Sequence, residues 1–176
     1  MKTINKFGLI LLTSISVLLS SCSKSDSGGS SIPETGSYIQ ANVAGSNFQS
    51  SGDFFSGTFS SSSMNISGTS TDGKSLNIQL YPLSGTTLTT GTYNINSTSQ
   101  NGGGLTFIDV NTTTFSVVTF SSVNCDNSIG TLEITYIDSA KIEGTFSCAA
   151  KEVKADESCN GDTKNITNGS FRLLLN

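Results

Sequence analysis

Leu76-Asn77-Ile78-Gln79-Leu80 alternates apolar and polar side chains with a period of two. Such alternation marks a strand with one buried and one wetted face. Asp72-Gly73 ahead of it is a hairpin-grade turn, and Pro82 stops it. The stretch decides for a sheet, and the chain on either side repeats its period.

Upstream, Tyr38–Val43 reads as the first strand, with Ala44-Gly45-Ser46-Asn47 turning into a second around Phe48. Phe54, Phe55 and Phe59 suggest a short strand interrupted by Gly57, and Met64, Ile66 and Gly68 alternate with polar residues. Downstream, Gly91-Thr92-Tyr93-Asn94-Ile95 begins a further strand. Gly102-Gly103-Gly104 marks a loose loop before a strand over 105–110, and 111–113 turn into another over 115–120. Leu132, Ile134 and Tyr136 alternate with Thr131, Glu133 and Thr135, after which Asp138-Ser139 turns the chain. Ile142, Phe146 and Cys148 share a face with Gly144 between them, and Phe171, Leu173 and Leu175 align after Asn168-Gly169. About ten short strands with frequent turns predict an all-β domain over residues 37–176, an antiparallel β-sandwich or barrel.

Ahead of this domain, Lys2 and Lys6 give a positive start, and residues 7–19 form an apolar run diluted by Gly8, Thr13, Ser14 and Ser16. A spanning helix needs about 20 apolar residues, whereas a secretory leader uses roughly 7–15. Leu19-Ser20-Ser21-Cys22 resembles the bacterial lipobox, an aliphatic and two small residues before a cysteine. The resemblance implies a lipoprotein signal peptide over 1–21, cleavage before Cys22, and acyl chains such as palmitate carried on that residue. Each buried CH₂ contributes about 0.8 kcal/mol and one chain holds only marginally, so several on one cysteine hold stably. Ser23 in place of an acidic residue favours the outer membrane, by resemblance to known sorting rules. Ser23-Lys24-Ser25-Asp26 faintly resembles an acidic surface-export tag, so both periplasmic and surface-exposed placements stay open. Residues 22–36, rich in Ser and Gly with Pro33, read as a flexible tether with a reach of about 20 Å.

Without Lys2 and Lys6 the chain keeps seven basic residues against 13 acidic, a net charge of −6. No basic patch exists to neutralise phosphates, which excludes nucleic acid as a partner. Histidine is absent, and with it go the Ser–His and Cys–His pairs, imidazole metal ligands and histidine acid–base catalysis. The chain is expected to have no catalytic set, no metal and no cofactor.

Gly57, Gly91, Gly130 and Gly144 each precede a threonine and then an aromatic or apolar residue. The intervals of 34, 39 and 14 residues are too irregular for a solenoid. The motif reads as a shared strand start, glycine permitting the turn and threonine suiting the pleat. Ala41-Asn42-Val43-Ala44-Gly45 with Phe48, Gly91-Thr92-Tyr93, Gly130-Thr131-Leu132-Glu133-Ile134-Thr135, Ile142-Glu143-Gly144-Thr145-Phe146-Ser147 and Ile166-Thr167-Asn168-Gly169-Ser170-Phe171 follow one another in order. Together they resemble a Bacteroidota (flavobacterial-type) lipoprotein domain family of unknown function. The resemblance covers most of residues 37–176 and implies no activity, cofactor or catalytic residue.

With Cys22 lipidated, Cys125, Cys148 and Cys159 remain, in a compartment that permits disulfides. Cys148–Cys159 is the shortest link, contributing roughly 2–3 kcal/mol by chain entropy. Cys125, in the turn Asn124-Cys125-Asp126-Asn127, competes for either partner. Asp156, Asn160 and Asp162 outline half of a calcium loop, but Thr167 stands where an EF-hand needs glutamate. Glu133 and Glu143 flank one hairpin as a candidate glycosidase pair, yet they run out of phase with the apolar residues and so face water. Tyr81, Tyr93 and Tyr136 offer stacking surface for a sugar, against a plainer role in core or rim packing.

The expected function is a non-catalytic binding or interaction module. Its membrane contact runs through the lipid on Cys22, and it meets an envelope protein or a glycan. The alternative is a lipocalin-like barrel holding a small apolar ligand, with a carboxylate-type glycan hydrolase behind it.

Overall fold

The structure, a computed structural model, describes residues 33–83, 86–99, 102–125, 128–156 and 158–175. Cys22, the leader and most of the tether lie outside the described residues. Eleven strands appear among those described: β1 Tyr38–Val43, β2 Ser46–Ser51, β3 Phe55–Ser60, β4 Ser63–Thr69, β5 Ser75–Tyr81 and β6 Gly91–Asn94, followed by β7 Gly102–Asn111, β8 Ser116–Ser121, β9 Ile129–Ile137, β10 Lys141–Val153 and β11 Thr163–Leu174. The all-β reading is correct, and β1 has its expected bounds. β5 buries Leu76, Ile78 and Leu80 completely while Asn77 and Gln79 stay half-exposed, as period-two alternation dictates.

All pairings are antiparallel, in the order β2-β1-β11-β10-β8-β7-β5-β4-β3, with β9 on β10 and β6 on β9. The chain passes from β2 through the single 3-10 turn Gly52–Phe54 straight into β3, so the two end strands of this path are consecutive in sequence. Ser50, buried on β2, accepts a hydrogen bond from Thr69 N at 3.0 Å and donates to Phe54 O at 2.6 Å. The Thr69 bond ties β2 to β4, next to the end strand β3, and the sheet is nearly closed into a barrel. β10 is the seam, because one of its edges pairs with β9 over Ile142–Ala149 and then with β8 over Lys151–Val153. Its other edge pairs with β11 along its length.

The interior is filled. Ile39, Met64, Ile66, Leu105, Phe107, Leu132 and Ile166 have essentially no exposed surface. A Cβ on Gly57 would stand 2.5 Å from Leu173 Cδ1, and one on Gly68 would collide with Ile39 and sit 2.7 Å from Ser50 Cβ. Packing this tight stabilises by burying area at about 25 cal/mol per Å² and leaves these points no room for a guest. It speaks against the lipocalin-like alternative.

Three expectations about local structure need correction. Gly102-Gly103-Gly104 is not a loop but the start of β7, paired with Tyr81, Leu80 and Gln79. Asn168-Gly169 is not a turn before the last strand. It lies inside β11, where Asn168 takes φ 51° and the register with β1 and β10 shifts, the mark of a β-bulge. Of the four Gly-Thr glycines only Gly91 opens a strand; Gly57, Gly130 and Gly144 lie within strands, where a neighbouring Leu173, Ile95 or Phe171 occupies the space of a side chain.

The disulfide is Cys125–Cys159, at a sequence separation of 34, and not Cys148–Cys159. Cys148 lies on the inner face of β10 in phase with Phe146 and Ala150, buried with a free thiol. Cys159 lies in the loop after β10, outside that core. Direction of the side chain, not shortness of the link, selects the partner.

Candidate functional site

Two of the concavities on the outer surface are lined mainly by polar side chains. The first is a groove along β5. Asn77, Gln79 and Tyr81 occupy alternate positions on its outer side, so they stand about 6.5 Å apart in a row. Opposite them on β7 are Thr106, Gly104 and Gly102. Together with Asn96, Ser97 and Ser99 they line a space of about 350 Å³. Gly103 has φ 110°, and a Cβ there would stand 2.8 Å from Leu80 Cα, so only glycine is accommodated. Val123 packs over Gly104, where a Cβ would meet it at 2.5 Å, and supplies an aliphatic wall. Asn77 Nδ2 donates to Asn65 Oδ1 at 3.0 Å, which fixes the plane of the Asn77 amide. The Tyr81 ring leans on Gly102 and remains 43 % exposed.

The second is a trough of about 560 Å³ crossing five strands, from Thr92 on β6 through Glu133 on β9, Thr145 on β10 and Ser170 on β11 to Gln40 on β1. These residues stand opposite one another in the ladders, forming a polar row perpendicular to the strands. Gln40 Oε1 and Ser170 Oγ, cross-strand neighbours, are buried and make no hydrogen bond within the protein. The bulge at Asn168 lies beside them, and Phe146 backs the trough from the core.

The two glutamates proposed as a pair have different surroundings. Glu133 faces the trough opposite Thr145, whereas Glu143 stands opposite Tyr136 and Arg172. Arg172 Nε reaches Glu143 Oε1 at 2.6 Å and Lys141 Nζ reaches Oε2 at 3.1 Å. The Arg172 bond holds the Glu143 carboxyl below its ordinary range, and the Lys141 bond adds to it. A general acid needs the opposite, a carboxyl kept protonated by its surroundings. Asp72, Asp138, Glu152 and Asp156 are also pushed down, by side-chain hydrogen bonds from Lys74, Tyr136, Lys154 and Ser158 respectively. Burial drives the Cys148 thiol up to about 12, far from a nucleophilic thiolate.

The acidic loop forms no calcium site among the described residues. Asp156 Oδ1 accepts from Ser158 N and Asn160 Oδ1 from Ser158 Oγ, while Asp162 N donates to Glu152 Oε2. No group of three or more His, Cys, Asp or Glu among the described residues is placed to hold a metal ion. Of the three tyrosines, Tyr81 alone lines either concavity. Tyr93 packs against the core and bonds Thr89 O through its hydroxyl at 2.8 Å. Tyr136 donates to Asp138 Oδ2 at 2.6 Å, and Lys141 Nζ lies 4.7 Å from the ring centre.

Sequence reasoning named Tyr81 but missed its neighbours Asn77 and Gln79 as the lining of a groove. They appeared only as the wet side of a strand, and the glycines facing them are brought there by a pairing that skips β6. No family model matches the chain, and neither a curated protein nor a solved structure matches it.

Proposed function

We propose that this chain is a non-catalytic binding module held at the outer membrane by a lipid on Cys22, as in the Bacteroidota lipoprotein domains it resembles. The observation that carries the reading is the pair of outward concavities lined by amides and hydroxyls on paired strands, over an interior filled with apolar side chains. Sites on strands are held more rigidly than sites on loops, which suits recognition. A carboxyl held below its ordinary range suits Glu143 poorly as a general acid, and a buried thiol of raised pKa suits Cys148 poorly as a nucleophile.

Fractionation of cells carrying the protein and its Cys22→Ala variant tests the anchor. Release of the variant into the soluble fraction supports it, and unchanged retention on membranes refutes it. Incubating the purified protein with envelope glycans tests the second half of the proposal. Appearance of new reducing ends with the wild type and not with Glu133→Gln would replace a binding module with a hydrolase.

A further inference from the structure

We infer that the groove along β5 is a carbohydrate-binding site for an uncharged glycan, with Gln79 and Tyr81 as its principal contacts. This rests on the binding-module reading and assigns the ligand class and location within it.

Charge excludes most other small ligands. Apart from the Tyr81 phenol, none of the described side chains lining the groove is ionisable. A phosphate, carboxylate or ammonium group would leave water there without gaining a counter-ion, a cost that unpaired charges do not recover. An aliphatic ligand fares no better, because the walls are Asn, Gln and Ser, whose polar groups would lose water with nothing in return. A ligand dense in hydroxyls answers both objections. Each hydroxyl donates and accepts, and an amide side chain does the same through its two ends, so Asn77 and Gln79 match hydroxyls spaced along the row.

Tyr81 supplies the second half of the match. Its ring leans on Gly102 and is 43 % exposed, two positions along the strand from Gln79. An aromatic face beside polar groups fits the apolar C–H side of a sugar ring while the rim hydroxyls reach the amides. Gly102 and Gly104 shape the groove by giving up their own side-chain space, the first to Tyr81 and the second to Val123. The Asn65 bond that fixes Asn77 removes part of the ordering cost that binding otherwise incurs. The volume of about 350 Å³ lies at the lower end of ligand-pocket sizes, and the row runs along β5, so a short, linear run of sugar rings fits it.

Affinity electrophoresis of the full-length protein in detergent, through gels containing glucan, mannan, xylan or galactan, tests the assignment. Acidic polygalacturonate and basic chitosan serve as charged controls. Retardation by at least one neutral backbone is expected, with affinity weakened about 10-fold or more in Tyr81→Ala and Gln79→Ala. Because both side chains are on the outer face, circular dichroism and melting should match the wild type. Glu133→Gln in the trough should bind as the wild type does. Retardation by none of the neutral backbones, or by the charged ones alone, overturns the glycan assignment. Loss on Glu133→Gln with Tyr81→Ala unaffected moves the ligand to the trough, overturning the site while leaving the binding-module reading standing.

Discussion

Phe146 on β10 stands directly opposite Gly169 on β11, and two residues away Gly144 on β10 stands opposite Phe171 on β11. All four face the interior, so each ring lies on the glycine across the ladder. A Cβ on Gly169 would stand 2.6 Å from Phe146 Cζ, and one on Gly144 2.6 Å from Phe171 Cζ as well as colliding with the carbonyl of Glu133. The exchange of ring and glycine lets two aromatic residues occupy adjacent strands without competing for one volume.

Gly144→Ala should therefore destabilise the fold by about 1–3 kcal/mol, the ordinary cost of overpacking. Gly169→Ala should cost a similar amount, since Phe146 is only 4 % exposed and has little room to swing out. Urea denaturation read by far-UV circular dichroism measures both. A double variant pairing Gly169→Ala with Phe146→Leu should recover part of the loss, and a double variant as unstable as the sum of its parts would remove the ring–glycine explanation.

The Cys125–Cys159 bond ties the β8–β9 connection to the loop between β10 and β11. Closing 34 residues contributes about 3–4 kcal/mol by the chain-entropy estimate. Cys159→Ser should lower the melting temperature, and dithiothreitol should lower the wild type to the same value without changing the variant. Cys148, buried with its thiol pushed up to about 12, should react with a maleimide only in denaturant.

The strands were legible wherever alternation is local. β1, β5 and the apolar face of β10 follow from period two and from nothing else. The glycine-rich start of β7 was not, because three consecutive glycines carry loop composition, and only pairing with Tyr81, Leu80 and Gln79 makes them a strand. Tyr136 was placed with Leu132 and Ile134, but the register shift opposite Glu143 and Gly144 turns it outward. The disulfide was misjudged by counting residues, although the alternation of Cys148 with Phe146 already pointed its sulfur inward. Half of the β5 groove was visible in the chain as Asn77, Gln79 and Tyr81. The facing half depends on a non-local pairing that no single stretch encodes.

Phe115 ends the β7–β8 turn at φ 53° with 87 % of its surface exposed. A bulky side chain in the left-handed region costs about 1 kcal/mol, and here almost no burial offsets it. Phe115→Asn should consequently raise stability by roughly 0.5–1 kcal/mol, asparagine being at ease with positive φ. Thermal unfolding of the two proteins measures it. A fall in stability would mean that the ring contributes to the fold despite its exposure.

Arg172 joins β11 to the segment just ahead of β1. Its guanidinium bonds Glu143 Oε1, lies 5.4 Å from the centre of the Tyr38 ring, and donates through Nη1 to the carbonyls of Pro33 and Glu34 at 3.4 Å. Arg172 is thereby the main reason that Glu143 ionises below its ordinary range, with Lys141 second. A carboxyl depressed in the folded state contributes stability that is present above its unfolded value and is lost as pH falls through the folded value. The wild type should therefore weaken as pH drops below about 4, where unfolded carboxylates begin to take up protons. Glu143→Gln should be less stable than the wild type near neutrality, because Arg172 loses its counter-charge, and its stability should fall less steeply over that acid range. Urea midpoints measured from neutral pH down to about 3 compare the two. Parallel acid limbs for wild type and variant would show that protonation of Glu143 contributes nothing to acid unfolding, and would move its cause to the exposed carboxylates such as Asp138 and Asp156 that are also held ionised.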